Sequence, residues 1–168
     1  MRIVGIAVAT AVALALQTTL SRFLSGTMAI DLVLVVVVYV ALLFGPVAGL
    51  LTGSFAGLIQ DALSIGVIGI GGLAKTIVGF LAGVIGTQFI VSQAPSRFVV
   101  FFAATVLHAV IFMGLYELLG LRDFGTPYTR VLEQAFANAV VGTVAFQAAE
   151  FMPGAVERRR LNRARPRR

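Results

Sequence analysis

Cysteine is absent from this 168-residue chain, so disulfides and thiolate metal sites are excluded at once. Charge is almost as scarce. Only 12% of the residues are charged, against roughly 25% in ordinary soluble domains. That is too little to cover a soluble domain of this size with polar surface. Histidine occurs once, at His108, and a lone imidazole brings no partners for a zinc site. The arrangements that catalysis needs are missing as well. No Gly-rich phosphate loop follows a strand, no Gly-x-Ser-x-Gly elbow occurs, and no clustered acids face a metal. Ser54 and Ser64 have no histidine near them in sequence to act as a base. These absences point away from an enzyme and call for no cofactor.

What is present is apolar: 59% of the residues are hydrophobic, and the mean hydropathy is +1.00. A bilayer solvates such side chains, so the chain reads as an integral membrane protein. In lipid every backbone polar group must be paired within its own segment, which predicts an all-α bundle. A spanning helix needs about 20 mainly apolar residues. Six stretches qualify: 3–20, 30–44, 46–63, 68–91, 98–120 and 130–152. The second and third are short, which leaves a five-span arrangement open. The run "LVLVVVVYV" in the second is expected to face lipid. Every connection is too brief to fold alone, so the expected organisation is one transmembrane domain, 1–152, and a basic tail, 153–168.

Arg2 and the apolar stretch after it fit the opening of a signal peptide, but no small-x-small cleavage site follows, so a retained first span is expected. The net charge of +6 comes largely from the tail, where seven of thirteen cations fall in the last eleven residues. By the positive-inside rule, six spans with both termini cytoplasmic place Arg2, Arg97 and the tail inside. The tail arginines are Arg158, Arg159, Arg160, Arg163, Arg165, Arg167 and Arg168. One reading makes them a topology signal only. Another brings them to anionic headgroups, at about 1 kcal/mol per arginine, or to an acidic partner. Nucleic acid ranks last, because no folded module accompanies the charges.

Two helices carry unusual glycine spacing. Gly45, Gly49, Gly53 and Gly57 recur every four residues, and Asp61 continues the series. Gly72, Lys75, Gly79, Gly83 and Gly86 fall within an arc of about 80° at 100° per residue. Small residues at this spacing let membrane helices approach closely. Such faces serve either the packing of the third span on the fourth or the docking of a helix from another protein. Charges inside a membrane face the bundle interior or a partner. Asp61 and Lys75 lie near the ends of consecutive antiparallel spans, which predicts an Asp61–Lys75 pair or a cluster shared with Gln60. Asp31 opens the second span, where a helix N-terminus favours an anion; it is expected to cap that span and is placed with Gln60, Asp61 and Lys75 in one candidate polar cluster. His108 lies mid-span, with packing or hydrogen bonding as its expected role. Gln134, Asn138 and Gln147 can supply interhelical hydrogen bonds. Glu117, Arg122, Asp123, Arg130 and Glu133 gather at one rim, where ion pairs are expected.

Residues 30–83 resemble the rod shape-determining MreD family. The resemblance is carried by the acid opening an aliphatic span with a tyrosine, Asp31 to Tyr39. It also rests on the "G-L-x-Q-D" of Gly57 to Asp61 and the "G-L-x-K-T-x-V-G" ending at Gly79. Ile30 stands where family members often carry proline. The resemblance implies a non-catalytic scaffold in the bacterial inner membrane, part of the elongasome that builds the lateral wall. Its implied associates are MreC, as the direct partner, with MreB, RodA and a class B penicillin-binding protein. The implied contact surface for MreC is a glycine-rich face with the Asp61 and Lys75 region. The implied fold is that of the substrate-binding subunits of energy-coupling-factor transporters. A competing reading is therefore a substrate-binding membrane subunit for a small molecule, although the short apolar loops lean against it.

Overall fold

In a computed structural model, which describes residues 2–23, 30–64, 66–88, 93–121, 125 and 128–151, all regular structure is helical. The elements are α1 (Arg2–Phe23), α2 (Leu32–Phe44), α3 (Pro46–Leu63), α4 (Ile70–Gln88), α5 (Ala94–Leu118) and α6 (Tyr128–Phe151). No strand occurs among the described residues. Among the described residues, two helices, α4 and α5, are long and apolar enough to cross a membrane, and α1 and α2 contain shorter apolar segments.

Local chemistry sets the boundaries. Asp31 caps α2, its side chain accepting from the Leu34 amide at 2.9 Å. The helix stops at Gly45, whose φ of 92° is open to glycine but strained for other residues. Pro46 then begins α3, where its fixed φ suits a first turn and its missing N–H costs nothing. Pro95 plays the same part in α5, which starts four residues before the predicted span.

The aliphatic helix α2 is not the lipid-facing element expected from its sequence. It is the centre of the molecule and packs on each of the other five helices. Val33, Leu34, Val37, Val38, Val40 and Ala41 are all buried. A helix that is apolar on every side suits a protein interior as well as it suits lipid, so hydropathy could not separate the two. Thirteen residues make about 20 Å, well short of a hydrocarbon core of about 30 Å. The outer helices form an arc around α2, α1 on α3, α3 on α4, α4 on α5 and α5 on α6; α1 and α6 do not meet among the described residues. One apolar cluster joins α2, α4, α5 and α6, around Phe101 and Phe146. A smaller one joins α1, α2 and α3, through Ala13, Leu14, Val37 and Ala56.

Large apolar side chains remain exposed on the flanks, among them Val47, Leu51 and Phe55 of α3 and Phe136, Val140 and Val144 of α6. The buried side is where the polar groups have gathered.

Candidate functional site

The polar groups converge on the start of α2. Lys75, from the second turn of α4, places Nζ 2.9 Å from Asp31 Oδ2, with both side chains buried. Its second contact is His108 Nε2 on α5, at 3.2 Å. An ammonium only donates, so His108 offers a lone pair at Nε2 and carries its proton on Nδ1. The other Asp31 oxygen, Oδ1, holds the Leu34 amide. The Asp31 backbone N–H donates in turn to Asn138 Oδ1 on α6, at 3.0 Å. Asn138 Nδ2 donates to Thr105 Oγ1, which donates to the Phe101 carbonyl. From α1, Gln17 closes the remaining side: Nε2 donates to the Ile30 carbonyl and Oε1 accepts from the Leu32 amide, both at 2.8 Å. Three helices, α1, α4 and α6, are thereby bonded to residues 30–32 at the start of α2, and α5 joins them through His108 and Thr105. Asn138 has no exposed surface and Lys75 is only 3% exposed, so these bonds form in a low-dielectric setting where an unpaired group is costly.

The expected Asp61–Lys75 pair is not formed. Lys75 turns toward α2 and α5, whereas Asp61 turns toward the first turn of α4. There Asp61 Oδ2 accepts from the Gly69 and Gly72 amides at 2.9 and 3.0 Å. A helix N-terminus presents unpaired amides and partial positive charge, which an aspartate at the end of the preceding helix can reach. Gln60 joins neither group; its Oε1 is buried without a hydrogen-bond partner among the described residues. Of the predicted cluster, the structure thus unites Asp31 with Lys75 and separates Asp61 and Gln60 from them.

Both glycine faces are occupied by each other rather than left open. A Cβ on Gly49 would collide with the Gly79 carbonyl, and one on Gly53 with the Lys75 carbonyl. At Gly57 it would lie 2.6 Å from Gly72 Cα, and at Gly83 2.5 Å from the Pro46 nitrogen. Ser54 and Thr76 bond across the same seam at 2.8 Å. The close approach brings Lys75 into register with Asp31.

At the opposite end of α5, Arg97 makes two 2.8 Å bonds to Glu150 near the end of α6, and its guanidinium lies 4.2 Å from the Phe146 ring centroid. The sequence places Arg97 on the cytoplasmic side by the positive-inside rule and Glu150 near the end of the last span, without pairing them. The signal was their placement at the facing ends of an antiparallel hairpin. At the other rim, Glu117, Arg130 and Glu133 are exposed and form no ion pair among the described residues; Arg122 and Asp123 lie outside these. Outside them too are the tail arginines Arg158, Arg159, Arg160, Arg163, Arg165, Arg167 and Arg168.

The network has the properties of a structural clamp, since its carboxylate, ammonium, amide and hydroxyl groups bond one another or the backbone. Among models of known families, that of the rod shape-determining protein MreD matches residues 1–147. No curated protein and no solved structure matches the chain.

Proposed function

The chain belongs to the MreD family of rod shape-determining proteins, and from this membership we propose that it acts as a scaffold for lateral wall synthesis. In this reading it binds an MreC-like protein directly. Through it the chain is linked to MreB, RodA and a class B penicillin-binding protein. It resides in the bacterial inner membrane as a multi-pass protein with both termini in the cytoplasm. The arginine tail is held inside, at anionic headgroups or an acidic partner.

The observation that carries the proposal is the family match over residues 1–147. The geometry supports a scaffold in a second way. Asp31, Lys75, Asn138 and Gln17 are bonded to groups of the chain itself, which leaves them fixing helices in place. A substrate-binding subunit needs convergent polar groups turned toward a ligand. The glycine faces, being closed against each other, are not proposed as the partner's surface.

The test is affinity purification of the full chain from membranes of its native host. Recovery of an MreC-like single-span protein in constant ratio is expected. Recovery of an ATPase module with a bound metabolite, and no such partner, would overturn the scaffold in favour of transport.

A further inference from the structure

In the turn joining α3 to α4, several backbone amides are bonded by groups of the chain itself. The Ser64 amide and hydroxyl both bond the Asp61 carbonyl. The Val67 amide donates to the Tyr116 hydroxyl, which reaches over from α5, at 3.1 Å. The Gly69 amide donates to the buried carboxylate of Asp61, and the Leu73 amide to the Gly69 carbonyl. A turn in water has no need of such partners, since water would serve. A turn beside hydrocarbon must supply them itself.

The side chains of the turn agree with the backbone. Ile68 is 66% exposed and Val67 43% exposed, and no charged residue lies between Asp61 and Lys75. The Tyr116 bond brings this turn beside the end of α5, where Leu118 is 82% exposed and Leu119 and Leu121 are exposed as well. On the flanks of the same hairpin, Leu58, Ile59 and Leu63 of α3 and Leu73 of α4 are exposed as well. Length fits too. Helices of 18 and 19 residues reach about 27 and 29 Å, so a hairpin entering from one face ends close to the opposite boundary of the hydrocarbon. Tyr116 and the exposed Glu117 mark that level as interfacial, the depth where tyrosine collects and a carboxylate still meets water.

We propose that the α3–α4 turn is a membrane-inserted tip: Val67 and Ile68 enter the interfacial layer of the leaflet at that end, with Tyr116 and Asp61 bonding the Val67 and Gly69 amides. The occupant of this surface is lipid. The inference requires only that the protein sit in a bilayer and is independent of its partners.

The chain has no native cysteine, so single cysteines can be placed at Val67 and Ile68 and labelled with an environment-sensitive fluorophore. The full chain is then studied alone in phospholipid nanodiscs. Phe55→Cys, on the exposed flank of α3, gives the lipid reference, and Arg130→Cys, at an exposed charged position near the start of α6, gives the aqueous one. Labels at 67 and 68 are expected to be quenched by spin-labelled phospholipid, and by aqueous iodide about tenfold less than at 130, as removal of an aliphatic side chain from water implies. Iodide quenching equal to that at 130 would overturn the proposal and leave the tip as a surface facing water or awaiting a protein. Ile68→Asp supplies a second check by adding a charge to the tip. It is expected to move the Val67→Cys label toward the aqueous reference, and an unchanged label would count against insertion.

Discussion

At the scale of single residues, the arrangement turns on which carboxylate Lys75 meets. A charge held in an apolar bundle must be compensated, and Lys75 is compensated twice, by Asp31 and by a lone pair of His108. Asp61 has other work, holding two amides at the start of α4. The two acids should therefore respond differently to mutation. Asp31→Ala strands the ammonium and uncaps α2 together, and is expected to cost about 3 kcal/mol or more. Asp61→Ala removes a cap, at about 1–2 kcal/mol. Double-mutant cycles measured by reversible unfolding in mixed micelles separate the roles. Coupling is expected between Asp31 and Lys75, and little between Asp61 and Lys75, because only the first pair shares a bond. Coupling of similar size in both cycles would mean that one shared field, not the direct contact, governs Lys75.

At the scale of elements, the α3–α4 seam sets the register that brings Lys75 to Asp31. Its glycines are not interchangeable with others in the chain. A Cβ at Gly79 would collide with the Gly49 carbonyl and come within 2.8 Å of Val37 Cγ1, whereas one at Gly114 meets nothing within 4 Å. Gly79→Ala is thus expected to lower stability by about 1–3 kcal/mol, as overpacking does, while Gly114→Ala is neutral or slightly stabilising through helix propensity. Thermal unfolding of both variants in the same detergent checks this, and equal effects would refute the seam as the tight contact. The seam was also the part most legible in the sequence, because four-residue glycine spacing is a local pattern with a local cause. The Gly45–Pro46 break and the Asp31 cap were legible for the same reason. Two features were not. Hydropathy measures the wish to leave water, and α2 satisfies it inside the protein as well as in lipid. Ion-pair partners depend on rotation of a helix about its axis, and the 14 positions separating Asp61 from Lys75 say less about that than the seam does.

At the scale of the whole molecule, the helices are unequal. α2 touches all the others, whereas among the described residues α1 meets only α2 and α3, through the half that contains Ala13, Leu14 and Gln17. Ile3, Val4 and Val8, nearer its start, are exposed. A helix held at one end of its length is the one most able to leave, and Gln17 is its hydrogen-bonded tether to the backbone flanking Asp31. Replacing Gln17 by leucine removes two bonds and leaves the Ile30 carbonyl and Leu32 amide unpaired. The expected loss is about 2 kcal/mol, or roughly thirtyfold in the ratio of docked to undocked α1. Two cross-links report the outcome. A disulfide between Ala13→Cys and Val33→Cys, which share one buried cluster, follows α1 on α2. A disulfide between Ser54→Cys and Thr76→Cys, whose native hydroxyls lie 2.8 Å apart, follows α3 on α4. In the Gln17→Leu background the first should form many-fold more slowly and the second at an unchanged rate. If both slow together, α1 belongs to a single cooperative bundle. If neither slows, its apolar contacts with α2 and α3 hold it without Gln17, and the tether at residues 30–32 serves the geometry of Asp31 alone.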